Sequence, residues 1–302
     1  LAGMDGRAID TVAPTTTATA LTSISTGLTP GEHGIVGYRM VLGGEVVNTL
    51  RWQAGDQAVR RSHPPRDVQG FEPFLGVEVP VIAQGELERS AFSEASLRGS
   101  RQVGWRSPSS IAVEARRQVE AGEPFVYCYY NGVDKIAHER GFGEFYDAEL
   151  RLADRLVADL IEAVPSGTAV LVTADHGQVH VGERTIEPVP EVLEPVTLQS
   201  GEGRFRWLHC AAADVDRLAD VATNAHGDVA WVVTKQQMLD EGWFGPVVSP
   251  PIRSRLGDVA LLPFEPVSFD EAADSGPFQL VCRHGSLTSA EVRVPLLGVL
   301  TD

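Results

Sequence analysis

The chain has 302 residues, 43% of them hydrophobic, and a formal net charge of −16 at pH 7. A chain of this length buries most of the surface that its unfolded form exposes, so it needs no disulfide framework to support a core. The negative charge argues against nucleic acid or an anionic membrane as the main partner, because both attract basic surfaces.

The cysteines and the apolar runs bear on the cellular location of the protein. Cys128, Cys210 and Cys282 are odd in number, and two of them lie within apolar runs. This pattern favours reduced thiols and, with no signal peptide visible, a cytoplasmic location. No apolar run approaches the roughly 18 residues of a membrane span, so no membrane partner is expected. The sequence does not predict the oligomeric state.

The first segment with catalytic potential is the threonine-rich run from Pro14 to Ser23. Thr17 can act as N-cap of a short helix that ends near Gly27 and Pro30, with its hydroxyl at the helix end where anions bind. Metal coordination would lower the pKa of this hydroxyl and make it a nucleophile at neutral pH. The alternative is a threonine-rich cap without chemistry.

The next part of the chain predicts alternating strands and helices. Residues 40–60 suggest a hairpin that turns at Gly43-Gly44. Residues 109–121 and 143–163 predict helices, and the second has apolar side chains at helical spacing opposite a charged face. Each helix precedes an apolar run, which indicates the β-α-β alternation of a parallel sheet.

A first pair of metal-binding residues follows the run from Glu123 to Asn131, which we interpret as a buried strand. Asp134 and His138 lie just beyond this run, and ligands four residues apart can close on one ion across a helical turn or a loop. A single histidine in such a place is more often an ordinary hydrogen-bonded residue. The pair therefore needs partners from elsewhere in the chain.

Two further apolar runs end in the same way. Residues 169–172, with glycines on both sides, are typical of a buried central parallel strand, and Asp175 and His176 follow them. Residues 278–282 form the third run, which precedes His284. Because the carboxyl ends of strands line the ligand crevice of open α/β sheets, these runs predict five metal ligands at one edge. The alternative for Asp175 is a helix cap, with His176 incidental.

Between Val181 and Pro250 the pattern changes, which indicates an inserted α+β subdomain. Its predicted strand, helix, strand and helix cover residues 205–211, 214–224, 230–234 and 236–241. The strand candidate Leu256 to Leu262 then marks the return to the main sheet. Such an insertion is placed to cover the site and select substrates, or else only to shield a sheet edge.

The motifs together resemble the nucleotide pyrophosphatase/phosphodiesterase branch of the alkaline phosphatase superfamily. In the same order, the matching segments are PTTTATALTSISTGLTPGEHGIVGY from Pro14 to Tyr38, then VDKIAH, TADHG and CRHGSLT. The resemblance implies an α/β fold with a central, mostly parallel sheet flanked by helices on both faces. One such domain would cover residues 1–302, with the inserted subdomain at residues 181–250.

The resemblance also implies roles for individual residues. Thr17, three residues after the proline, matches the nucleophile of the family. The family uses two metal ions, which are usually zinc. The implied ligands are Asp134, His138 and His284 for one ion and, for the other, Asp175 and His176 with an aspartate of the first strand.

The sequence departs from the family pattern at two points. Asp5-Gly6 lies only twelve residues before Thr17, too close to be the first-strand Asp-Gly motif. We therefore interpret the opening as a helix or loop, and expect the first strand and sixth metal ligand upstream of residue 1. Tyr38 stands where many diesterases of this branch have an asparagine that binds a phosphoryl oxygen. Its phenol can donate one hydrogen bond there or simply support the loop.

These observations predict a metal-dependent phosphohydrolase with two zinc ions and Thr17 as nucleophile. The expected activity is that of a phosphodiesterase or nucleotide pyrophosphatase on a small phosphate ester or nucleotide-like substrate. The alternatives are a phosphomonoesterase, phosphonate hydrolase or phosphomutase of the same superfamily, or a degenerate phosphate-binding protein. A sulfatase is disfavoured because sulfatases use a modified cysteine or serine at the position of Thr17.

Overall fold

The computed structural model describes residues 3–271 and 279–302, which form a mixed α/β fold. The strands are β1 (Asp5–Asp10), β2 (Arg39–Leu42), β3 (Glu45–Asn48), β4 (Gln53–Ala54), β5 (Gln57–Ala58), β6 (Pro80–Gln84), β7 (Arg101–Trp105), β8 (Tyr127–Cys128), β9 (Ala169–Thr173), β10 (Val179–His180), β11 (Thr185–Ile186), β12 (Leu198–Glu202), β13 (Phe205–His209), β14 (Ala230–Thr234), β15 (Val259–Pro263), β16 (Ser268–Phe269), β17 (Cys282–Arg283) and β18 (Arg293–Leu300). The helices are α1 (Thr17–Thr26), α2 (Pro30–His33), α3 (Pro65–Val68), α4 (Ala91–Leu97), α5 (Ser109–Glu120), α6 (Gly132–Arg140), α7 (Glu144–Ala163), α8 (Pro190–Leu193), α9 (Val215–His226), α10 (Lys235–Asp240), α11 (Pro250–Arg253) and α12 (Ser289–Val292).

A parallel sheet with β6 between β7 and β8 carries one part of the site. Helices α5 and α7, which the sequence predicted, pack beside it because their apolar residues face a common cluster. This cluster contains Ile82, Trp105, Ile111 and Leu156. The predicted strand over residues 123–131 shrinks to the two residues of β8, which is half-buried and pairs only with β6.

A second, antiparallel sheet has the order β1-β18-β9, and it corrects two predictions. The opening of the chain is a strand, β1, which pairs with β18. Gly6 permits this pairing, because a Cβ there would lie 2.2 Å from the carbonyl oxygen of Leu296. The prediction of a buried parallel strand at residues 169–172 is wrong. Strand β9 pairs antiparallel with β18 and lies at the sheet edge, and its Leu171 is 72% exposed.

The hairpin predicted within residues 40–60 is confirmed. Strands β2 and β3 pair antiparallel, with Arg39 opposite Asn48 and Leu42 opposite Glu45. Gly43 and Gly44 form the turn with φ of 58° and 89°, values that favour glycine at both positions.

The region that the sequence predicted as an insertion contains strands of a four-stranded antiparallel sheet in the order β12-β13-β15-β14. Its predicted elements are observed as β13, α9, β14 and α10. Strand β15, which we expected to return to the main sheet, instead pairs with β13 and β14. This sheet therefore continues past residue 250. The sequence could not predict this, because an apolar run shows that a strand forms but not which strands it pairs with.

One hydrophobic core joins this subdomain to the start of the chain. Trp207 and Phe205 of β13 are buried in the same cluster as Ala18 of α1 and Ile35. Among the described residues the strands form several sheets, so the single central sheet that we expected is not seen. In the described part of the chain, no helix combines the length and apolarity needed to cross a membrane.

Candidate active site

Thr17 is the first residue of α1, at the end of the helix that favours anions. The N-cap is Thr16, whose backbone is extended with φ −131° and ψ 145°, so the prediction of Thr17 as N-cap is wrong by one residue. Three successive threonines have the same capping propensity, which explains the difference. The predicted end of the helix is confirmed, since Gly27 closes it in the left-handed conformation.

The hydroxyl of Thr17 lies close to Asp175 and His176, which follow β9. Its Oγ1 lies 3.1 Å from Nε2 of His176, and the same nitrogen lies 3.5 Å from Oδ2 of Asp175. Gly177 allows this turn to pack closely, because a Cβ there would lie 2.0 Å from the carbonyl oxygen of Ala290. Thr17, Asp175 and His176 therefore form one compact group.

A second group combines Asp134, His138 and His284, as the sequence predicted. Their ligand atoms all lie within 4.8 Å of one another, which suits a single metal ion. Asp134 and His138 lie one turn apart on α6, with Oδ1 3.3 Å from Nε2. His284 directly follows β17. Strand β17 pairs with β10, the strand that comes shortly after the motif at residues 175–177. The third apolar run is described only from residue 279 onwards, because its first residue, Phe278, lies outside the described part of the chain.

The two groups adjoin. The ring of His176 stacks on that of His284 with centroids 3.7 Å apart, and the ring of His138 lies 5.1 Å from that of His284. Six of the residues singled out from the sequence thus lie in one place: Thr17, Asp134, His138, Asp175, His176 and His284.

The three histidines are oriented in the same way. Each donates a hydrogen bond from Nδ1 to a main-chain carbonyl, which assigns the proton to Nδ1 and leaves the lone pair on Nε2. The bonds run from His138 to Cys282 (2.7 Å), from His176 to Gly177 (2.9 Å) and from His284 to Thr15 (2.8 Å). A nitrogen and carboxylate donor set of this kind fits a divalent ion such as zinc.

The surroundings keep Asp134 ionised and His284 neutral, the forms that bind a metal ion. Burial alone would raise the pKa of Asp134, but the nearby side chains of His138, His284 and His176 lower it below its ordinary value. Burial, together with His176 and His138, lowers the pKa of His284 well below 6.5. Burial also acts to lower the pKa of His138, but the adjacent Asp134 carboxylate favours the protonated ring and the net shift is upward.

Among the described residues, no contact is observed between Tyr38 and this cluster. It is half-buried just before β2, and its main-chain oxygen accepts hydrogen bonds from the amide and the hydroxyl of Thr49 at 2.8 and 3.0 Å. Its hydroxyl forms no hydrogen bond with the described residues. Its substrate-binding role stays a prediction.

Two residues that the sequence did not single out touch the metal-ligand group. Gln178 donates from Nε2 to Oδ1 of Asp134, and Glu202 places Oε2 3.6 Å from Nδ1 of His284. Gln178 directly follows the motif at residues 175–177, so adjacency was a usable signal. Glu202 is brought in by a contact across 82 residues of sequence, which no local pattern reveals.

Comparisons with known proteins identify the family of the chain. The family model for type I phosphodiesterase / nucleotide pyrophosphatase matches residues 2–286. No curated protein sequence matches the chain.

Several solved structures share the fold at low sequence identity. Murine ectonucleotide pyrophosphatase / phosphodiesterase 5 has a TM-score of 0.69 at 16% identity, covering 96% of this chain and 78% of that one. The human protein of the same name has a TM-score of 0.68 at 15% identity, with coverage of 96% and 78%. Phosphonoacetate hydrolase from Sinorhizobium meliloti 1021, in complex with phosphonoformate, has a TM-score of 0.68 at 16% identity, with coverage of 97% and 81%.

At these identities the structural neighbours show the fold, whereas the family match covers nearly the whole chain. The chain belongs to the type I phosphodiesterase / nucleotide pyrophosphatase family and is a hydrolase of phosphoester bonds.

Proposed function

We propose that the chain is a metal-dependent phosphodiesterase or nucleotide pyrophosphatase that uses Thr17 as its nucleophile. The observation that carries this proposal is the 3.1 Å contact between Oγ1 of Thr17 and Nε2 of His176. It places a hydroxyl at a helix N-terminus, beside two groups of metal-binding side chains.

In the proposed reaction, Oγ1 of Thr17 gives up its proton to water and bonds to phosphorus, while the bond from phosphorus to the leaving oxygen breaks and the leaving group departs after taking up a proton from water. The phosphoryl group is then esterified to Thr17. Water hydrolyses this ester, and Thr17 recovers its hydroxyl with its proton. The N–H groups of the first turn of α1 point towards the negative phosphoryl oxygens and stabilise them.

Asp134, His138 and His284 would hold one zinc ion, and Asp175 and His176 would contribute to holding a second. Such ions supply Lewis-acid stabilisation of the phosphoryl oxygens and a lower pKa for the attacking hydroxyl. The buried imidazoles contribute fixed orientation, because each Nδ1 is already committed to a carbonyl.

The proposed substrate is a small phosphate ester or nucleotide-like diester. The murine neighbour has also been solved as an inactive threonine-to-alanine variant in complex with AMP, and the bacterial neighbour with phosphonoacetate. The net charge of −16 repels anions at long range. A small anionic substrate would therefore be attracted only by groups within the site, such as bound metal ions. The bacterial neighbour favours a phosphonate hydrolase as the second candidate.

A substrate panel on zinc-loaded protein tests the proposal. The panel contains a p-nitrophenyl nucleotide diester, a dinucleotide pyrophosphate, p-nitrophenyl phosphate and phosphonoacetate. We expect the diester or the pyrophosphate to be the best substrate. Turnover of phosphonoacetate alone would favour the second candidate, and no turnover at all would favour a binding protein.

Two variants connect this activity to Thr17. Thr17→Ala should lose more than about tenfold in turnover, the equivalent of 1.4 kcal/mol, while zinc content and fold are retained. Thr17→Ser keeps the hydroxyl and should retain part of the activity. A Thr17→Ala variant with more than about a tenth of wild-type turnover would exclude the covalent mechanism.

A further inference from the structure

Strand β12 ends at Glu202, whose largely buried acidic side chain reaches from the region predicted as an insertion into the candidate site. Oε2 of Glu202 lies 3.6 Å from Nδ1 of His284, and the Glu202 side chain is only 12% exposed. Gly285, at φ 129°, makes room for this approach, because a Cβ there would lie 3.0 Å from Cγ of Glu202. The contact therefore depends on the residue next to His284 as well as on Glu202.

Glu202 acts on the side of the imidazole that faces away from the metal ligands. Nδ1 of His284 donates to the carbonyl oxygen of Thr15 at 2.8 Å, and Oε2 of Glu202 lies 3.6 Å from the same nitrogen, beyond hydrogen-bond distance but on the side of the ring where its negative partial charge favours the Nδ1–H group. A flipped ring would present carbon atoms to both oxygens. The pair thus holds Nε2 towards Asp134 and His138.

One oxygen of the Glu202 carboxyl group, Oε1, is buried without a hydrogen-bond partner among the described residues. A buried carboxyl with an unpartnered oxygen costs stability, and such groups occur preferentially where a site uses them.

A buried ion pair fixes the position of the turn between β12 and β13. Arg204 is fully buried and binds Glu291 through two hydrogen bonds, Nε to Oε1 at 2.7 Å and Nη2 to Oε2 at 2.8 Å. The same Glu291 carboxylate accepts from the amide of Ser286 at 3.0 Å, two residues beyond His284. The turn and the His284 loop are therefore held to a common anchor, which sets the distance from Glu202 to the ring.

We propose that Glu202 is a positioning residue for His284, through which the inserted subdomain sets the geometry of the metal centre. This inference rests on the proposed function and deepens it. It assigns the insertion a role in metal binding in addition to covering the site.

The test compares the zinc affinity of the wild type with that of four variants by competition with a chromophoric chelator. His284→Ala identifies the affected site by weakening one of the bound ions, and Glu202→Ala should weaken binding of the same ion by roughly 10- to 100-fold. Glu202→Gln keeps the shape and one acceptor oxygen, so it should lose less. Glu191→Ala removes an exposed carboxylate from the same subdomain and should leave zinc affinity unchanged.

A double-mutant cycle separates positioning from general destabilisation. If Glu202 acts through His284, Glu202→Ala should cause no further loss of zinc affinity in the His284→Ala background. Wild-type zinc affinity in both Glu202 variants would overturn the inference and leave the proposed function intact. Equal losses of affinity in the wild-type and His284→Ala backgrounds would also overturn it. If the wild-type protein bound no zinc, the proposed metal-dependent function would fail, and this inference with it. Should Glu202→Ala not fold, the Glu202→Gln variant and its cycle decide the question.

Discussion

At the scale of single residues, each imidazole of the candidate site is oriented by a hydrogen bond from Nδ1 to a main-chain carbonyl. Outside the site, His33 is buried beside α1 and is bonded in the opposite sense. Its Nδ1 accepts from the amide of Ile35 at 3.1 Å, so Nε2 carries the proton towards Oγ of Ser23, 2.9 Å away. Protonation of Nδ1 would break the first of these bonds.

His33 predicts a loss of stability on mild acidification. Burial, with a smaller effect of the positive charge of Arg255, lowers the pKa of His33 from 6.5 to about 3. Because the folded-state pKa is depressed, the unfolded state takes up the proton first, and stability falls as pH drops below 6.5. Between pH 7 and pH 5 we expect a loss of about 2 kcal/mol from this residue.

Urea unfolding of the wild type and of His33→Gln at both pH values measures this contribution. The variant cannot titrate at this position, so its stability should fall by less between pH 7 and pH 5. The same loss in both proteins would show that His33 does not control the acid sensitivity.

The sequence predicted which residues gather in the candidate site, but it did not predict the long-range partners that contact them. The motifs named Thr17, the metal-binding aspartates and the histidines, and the structure brings them together. The contacts of Gln178 with Asp134 and of Glu202 with His284 depend on how distant segments pack. The N-cap was displaced by one residue because Thr16 and Thr17 are equivalent in local propensity.

At the scale of elements, the sequence predicted which segments form strands and helices better than it predicted how the strands pair. An apolar run of β-branched residues looks the same whether its strand is central or at an edge. Strand β9 is therefore found where the sequence predicted a strand, but with antiparallel pairing and an exposed Leu171. Likewise, nothing in the sequence of β15 indicates that it joins the sheet of the inserted subdomain.

The exposed edge strand predicts self-association. An exposed apolar strand edge offers unpaired main-chain groups to a second chain, and an inserted lysine discourages this pairing. Leu171→Lys should therefore reduce the concentration-dependent association of the protein. The loss of unfolding free energy should stay below about 1 kcal/mol, because the side chain is already 72% exposed.

Analytical ultracentrifugation over a concentration series measures this effect. Val113→Lys makes the same change of charge at a 41% exposed position on α5 and serves as the control. Equal association in the wild type and both variants would show that β9 does not mediate contacts between chains.

At the scale of the whole molecule, the region predicted as an inserted subdomain and helix α1, which begins at Thr17, share one hydrophobic core. Trp207 is 1% exposed and packs 5.1 Å from Phe205 and 6.3 Å from Phe244, measured between ring centroids. The same cluster includes Ala18 of α1. The two regions should therefore unfold together.

Trp207→Ala should destabilise the protein by about 3–5 kcal/mol in a single transition, because it leaves a cavity in this shared core. Trp231→Ala, at a 43% exposed tryptophan of the same subdomain, is the matched control and should cost much less. Urea unfolding followed by circular dichroism and by fluorescence tests both points. Two separate transitions would show that the subdomain folds independently.

The most direct test of the account is capture of the covalent intermediate on Thr17. Zinc-loaded protein is mixed with a p-nitrophenyl ester of thymidine monophosphate, quenched in acid within the first turnover and digested for mass spectrometry. The mechanism predicts a thymidylyl group on the peptide that contains Thr17, and no adduct in Thr17→Ala. Turnover with the adduct on another residue, or undiminished turnover in Thr17→Ala, would contradict it.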